Sequence, residues 1–213
     1  TFFSGAGSFS IGAGAGNVLL LGGDITQNSA NAQTISVPIS LSVTSTITTP
    51  SGALTLSGDI SGSGGITKAQ TGSLTLSGMN SYSGKTSITR GTVFYNSIAN
   101  VGFGPSALGV PTTVANGTIN LGSGTTASSL RYTGSGDSTD RIINLSSTTG
   151  GPSLYSSGTG PLNFTSDFTA TGAGSKTLTL RGTSIDDNTI GGAIINNSAT
   201  NITSLTKNDA GKW

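Results

Sequence analysis

Side chains capable of chemistry are scarce in this sequence. Among its 213 residues there is no Cys and no His. That excludes a Ser-His-Asp triad, a Cys nucleophile, an imidazole base and a His/Cys metal cage. Glu is absent too, so eight Asp are the only side-chain carboxylates. Carboxylate pairs cleave glycosidic bonds or ligate Ca²⁺, and two local groups merit that test: Asp137/Asp140 and Asp186/Asp187. The run Gly134-Ser135-Gly136-Asp137-Ser138-Thr139-Asp140 lacks the ligand-dense spacing of calcium loops, and Asx and Ser/Thr turns explain it without metal. Gly84-Lys85-Thr86 resembles the end of a phosphate loop, but Gly78 precedes it by one residue too many and Ser87-Ile88-Thr89 reads as strand. Gly12-Ala13-Gly14-Ala15-Gly16 lacks the dinucleotide spacing and reads as close backbone approach or a loose turn. No cofactor, no metal and no catalytic residue are expected.

The elements that would position any site follow from composition. Gly, Ser and Thr each occur 34 times, hydrophobic residues make up 33% and charged residues 8%. Disordered chains are rich in charge and poor in β-branched residues; this one has the opposite habit. Apolar residues alternate with Ser, Thr or Asn in Thr34–Val43, Leu54-Thr55-Leu56, Leu74-Thr75-Leu76, Ile119-Asn120-Leu121 and Thr177–Leu180. Period-two alternation between Gly- and Asn-containing turns is the strand pattern. Helical periodicity is missing, and the best candidate for one helical turn is Ser97–Asn100. The chain is all-β. Its aromatic residues, Phe94, Tyr95, Tyr132 and Tyr155 among them, are expected mainly to stack inside, and its Asn residues to form amide ladders.

Repeats narrow the choice. Ala53-Leu54-Thr55-Leu56-Ser57-Gly58 returns 20 residues later as Ser73–Gly78, the length of one rung of a three-sided solenoid. Ile66–Leu74 aligns without gaps to Leu205–Trp213, with Trp213 in the place of Leu74. Ser4–Ser10 matches Ser77–Ser83 in pattern, Phe9 over Tyr82, which sets Thr1-Phe2-Phe3 near the place of Thr75-Leu76. On this reading the C-terminus runs into the N-terminus of a further copy. Thr1, Phe2, Phe3, Lys212 and Trp213 are the expected assembly interface, because uncapped complementary ends generate filaments.

Gly62–Lys68, then Gly72–Thr86 and Arg90-Gly91-Thr92-Val93, resembles the autotransporter-associated β-strand repeat of giant bacterial surface proteins. The resemblance implies a right-handed parallel β-helix, exported and extracellular or cell-surface associated, with no catalytic residues to carry over. The expected organisation is a single β-solenoid over 1–213 of nine or ten rungs without significant helix. Within it, 62–93 is the best repeat, 94–204 spacer rungs and 205–213 a truncated second copy. The expected function is a non-catalytic extracellular fibre built by head-to-tail stacking or tandem repetition. A stalk or passenger segment of a surface adhesin is the alternative, and a polysaccharide-acting β-helix enzyme a second one. Expected partners are further copies of itself and surface glycans. A net charge of +1 offers nothing to nucleic acid, and no run is long and apolar enough to span a bilayer.

Overall fold

The computed structural model describes residues 1–213 apart from Ala13 and Ala15, so those two members of the Gly12–Gly16 run lie outside the described residues. One rung runs Ala53–Leu56, Ile60–Gly62, Ile66–Ala69, with a corner after each strand. The chain then returns at Ser73–Leu76 directly beside Ala53–Leu56, in parallel and in register. Repetition of this step builds a parallel β-solenoid of about eight turns. Nine strands form a long sheet from Phe9–Ile11 to Thr203–Lys207, and six form a second face. The third face is split into two three-stranded sheets.

Alternation in the sequence becomes alternation in burial: Leu54 and Leu56 point inward while Ala53 and Thr55 are half-buried. Register then turns each inward position into a column. Gln33, Leu54, Leu74, Val93, Leu130, Leu154 and Leu180 form one column, and Ile35, Leu56, Leu76, Tyr95 and Tyr132 another. Burying each large apolar side chain contributes about 1.5–3 kcal/mol. Inside, the Tyr95 and Tyr132 rings meet at 5.3 Å, and Phe164 and Phe168 meet edge to face at 5.4 Å. The expected amide ladder is present on the six-stranded sheet, where Asn144 donates to the Asn120 side chain at 3.0 Å and Asn120 to Ser87 Oγ at 3.3 Å.

One turn is far longer than the rest. Thr92 pairs with Ser129, a step of 37 residues, against 20 from Ala53 to Ser73. Residues 96–118 form an insert in this turn, and together with later steps of 24 to 27 residues it leaves about eight turns where nine or ten were expected. The insert holds the single helical turn among the described residues, Val114–Gly117, capped by Thr113 Oγ1 accepting from Asn116 N. That turn was expected at Ser97–Asn100. That segment is held otherwise: Ile98 N donates to Asp137 Oδ2, and Val101 N just beyond it to Asp140 Oδ1. Arg141, fully buried, fixes the far end of the insert by donating from Nε to Gly117 O at 2.8 Å and from Nη1 to Leu108 O at 2.7 Å.

One corner device is used twice, before the long sheet at Lys68 and after it at Lys207. Lys68 Nζ donates to the carbonyls of Ala69 and Gln70, and Lys207 Nζ to those of Asn208 and Asp209. Among the described residues Gln70 and Asp209 are the non-glycine ones with positive φ, at 65° and 64°. The aligned segments Ile66–Leu74 and Leu205–Trp213 therefore share a conformation. They differ in face: Ile66–Ala69 belongs to the six-stranded sheet, Thr203–Lys207 to the long one. After the first corner Gly91 closes over Lys68 with φ 79°, where a Cβ would run into the Gln70 and Gly72 carbonyls.

Two predictions test this account. Removing the Arg141 guanidinium strands buried carbonyls, so Arg141→Met should cost about 3 kcal/mol in denaturant unfolding and open 96–118 to native-state proteolysis. A cost under about 1 kcal/mol without new cleavage contradicts the anchoring role. Burial holds the Lys68 ammonium down to about 8, whereas the unfolded lysine titrates near its ordinary value of about 10.4. Between these values the unfolded chain binds more protons, so stability rises with pH. Chemical denaturation from about pH 8 to 10 should show stability rising, and the rise should shrink in Lys68→Met.

Candidate interaction surfaces

The carboxylates considered for catalysis or Ca²⁺ are used as clamps. Asp137 Oδ2 accepts from Tyr132 Oη at 2.8 Å and from Ile98 N at 3.1 Å, and Asp140 holds Val101 N at 2.8 Å. Asp186 accepts from Ser184 Oγ, and Asp187 pairs with Lys212 at 3.2 Å. Among the described residues no group of three potential metal ligands comes together. Gly84-Lys85-Thr86 turns a corner into the strand Thr86–Ile88, with Gly84 N bonded to Gly64 O, so it has no helix with which to cradle a phosphate.

The two end rungs are the first candidate surface. At one end Phe3 is 75% and Leu20 79% exposed, beside Phe9 and Val18. A hollow of about 210 Å³ there is lined by Phe2, Ile11, Leu19, Leu21, Ile25 and Ile35 among others. At the other end Ile185, Ile195, Ile202 and Leu205 are exposed. Each end thus presents core-type side chains and unpaired strand edges.

The expected interface residues divide between these ends, shifted from their aligned positions. Phe2 pairs with Gln27, next to Ile25–Thr26 of the six-stranded sheet, whereas the alignment set it beside the long-sheet residues Thr75-Leu76. Phe9 lies in the long sheet in the Leu74 column, while Tyr82 is buried between the third face and the insert. Thr1 is exposed. Lys212 and Trp213 have passed the long sheet: Lys212 N bonds Ser184 O, and Trp213 Nε1 donates to Arg181 O at 2.7 Å. The matched Gly and Ser positions recur too often in this composition to fix a face.

The outer face of the long sheet is the second candidate, and alternation alone did not reveal it. Register aligns Thr34, Thr55, Thr75, Phe94, Arg131, Tyr155 and Arg181 in one outward column. The Arg131 guanidinium lies 5.5 Å from the Phe94 ring centre and 5.2 Å from that of Tyr155. Arg181 covers the opposite side of Tyr155 at 5.2 Å and is held by Asp209 at 3.1 Å. Two residues earlier in each strand stand hydroxyls: Thr92, Ser129, Ser153 and Thr179. The signal was in the sequence, since strands related by a rung must stack equivalent positions, but it needs the 37-residue step to be read.

With the geometry in place, comparison with known proteins decides the repeat. Residues 66–93 match the passenger-associated-transport-repeat. The chain carries an autotransporter passenger repeat. The repeat begins at the strand Ile66–Ala69 and ends inside Gly91–Tyr95, a little over one rung. Over 209 residues, 95% of its length, the chain is 38% identical to the adhesin BmaC autotransporter of Brucella suis biovar 1 (strain 1330). It spans only 5% of that protein. No solved structure matches the chain.

End rungs of a repeat structure have a neighbour on one side only and open first. The single Trp, docked on Arg181 of the last turns, reports that opening. Its fluorescence should change at lower denaturant than the far-ultraviolet circular dichroism. Coincident midpoints would show a fully two-state molecule instead.

Proposed function

We propose that this chain is a non-catalytic stalk segment in the passenger of a bacterial surface adhesin. It is extracellular or surface-exposed, in keeping with its passenger repeat and its adhesin relative. The observation that carries the stalk reading is the unbroken nine-stranded parallel ladder. At about 4.8 Å per strand it makes a rod about 40 Å long, each rung supported by its neighbours. Such a rod transmits length and stiffness. The Asp side chains that sequence spacing nominated for glycan cleavage are engaged in holding loops, which favours support over catalysis.

Stacking of rods end to end is the second reading, and the exposed apolar residues on both end rungs favour it. A terminal rung with Leu20 or Leu205 uncovered gains about 1.5–3 kcal/mol for each such side chain that a neighbouring rung buries. Light scattering of the purified chain against concentration should show growing particles, with Leu20→Lys and Leu205→Lys each suppressing growth while leaving the circular dichroism unchanged. Monodisperse rods at all concentrations would remove the stacking reading and leave the stalk. New reducing ends released from a panel of polysaccharides would remove the non-catalytic one.

A further inference from the structure

We propose that the outer face of the long sheet binds a linear acidic polysaccharide, with Arg131 as the anion-reading residue. This goes beyond the stalk reading, because a support needs no recognition surface along its side.

Carboxylates are sorted around the rod. The face and the corner leading into it carry Arg90, Arg131, Arg181 and Lys207, with Asp209 as their one neighbouring carboxylate. The other Asp residues occupy the third face and its corners, as at Asp137–Thr139 and in the turns before Ile60 and after Phe164. Asp209 is committed to Arg181 through a two-point contact. Arg131 is not so compensated. The ion pairs among the described residues are Arg181–Asp209 and Lys212–Asp187, so Arg131 and Arg90 carry free positive charge. Arg131 Nε is enclosed without a partner, and its terminal amino groups make no hydrogen bond to the described residues.

The setting of Arg131 suits an anion. Phe94 and Tyr155 stand on the strands either side of Arg131, with its guanidinium over both rings, and such flanking restrains the planar fork so that little freedom is lost when it meets a carboxylate. Arginines flank Tyr155 on both sides and Phe94 on one, so what the strip mainly offers outward is N–H groups and hydroxyls. Ser129 stands two residues from Arg131, continued along the axis by Thr92 and Ser153. A shallow groove of about 520 Å³ beside the strip shares Thr92 and Ser129 and adds Thr71, Arg90, Thr125 and Thr126. A narrow line of hydroxyls with free guanidinium groups and no apolar pocket fits a hydroxylated, charged linear polymer. It does not offer the desolvated anchor on which protein partners concentrate their affinity.

The test is retention of the purified chain on immobilised alginate, a polyuronate, beside neutral dextran and poly-glutamate at about 0.1 M salt, where surface charges are partly screened. Retention on alginate above both controls, weakened by salt, is expected. Arg131→Gln and Tyr155→Ala should each weaken it about tenfold or more, the scale of one charge-assisted contact. Arg131→Lys keeps the charge but loses the fork, and should recover only part. Lys212→Gln, at the end of the rod, should change nothing. Melting curves verify that each variant is folded. No retention on alginate, equal retention on poly-glutamate or dextran, or an Arg131→Gln chain that binds unchanged overturns the proposal, while the rod and the stalk reading stand.

Discussion

Everything in this structure depends on backbone hydrogen bonds between successive parallel turns. A rung has no sheet of its own; each of its three short strands is completed by the strand before and after it. Since register is kept from turn to turn, any side chain lies about 4.8 Å from its equivalent in the next rung. That constraint selects the composition. Leu over Leu packs well inside, and Thr over Thr or Asn over Asn is satisfied outside. A charge over the same charge is repelled, as directly opposed like charges are in any sheet.

The few charged residues show how that repulsion is avoided. Lys68, Lys176 and Lys207 fold back onto carbonyls of their own corners. Arg131 and Arg181 share one column but are separated by Tyr155, so a ring lies between the two guanidinium groups. The same repulsion is thus avoided in this column by setting Arg131 and Arg181 in alternation with aromatic residues. A recognition strip on such a rod is a by-product of the same register that makes the rod stable.

The 37-residue turn shows what the ladder tolerates. Thr92 and Ser129 remain paired although 96–118 leave the solenoid, because loop length adds only slowly to the entropy of closure. What the insert does require is polar anchoring. Asp137, Asp140 and Arg141 supply it from one later turn, and Asn80 supplies it from an earlier one through its bond to Ala107 O. Arg141 is a costly anchor, since Nη2 stays buried without a partner. Its two bonds, to Gly117 O and Leu108 O, are what hold the insert against that cost.

What the sequence made legible follows from the same physics. Strands, alternation and the 20-residue step were readable because each is local and repeats. The fate of Asp137 and Asp140 was not, since a carboxylate that holds an insert and one that serves a site have the same spacing. The helical turn was misplaced for a related reason: Ile98 N within Ser97–Asn100, and Val101 N just beyond it, are held by those carboxylates from a later turn. The matches at the two ends identified a shared Lys-capped corner at Lys68 and Lys207 but not the face it occupies. Local conformation is written within a few residues. The face is set by the accumulated length of every turn before it, and the turns here range from 19 residues between Ser73 and Thr92 to 37. A solenoid can therefore keep a motif and move it around the rod, so surfaces such as the Phe94–Arg181 column must be read from register and not from motif alone.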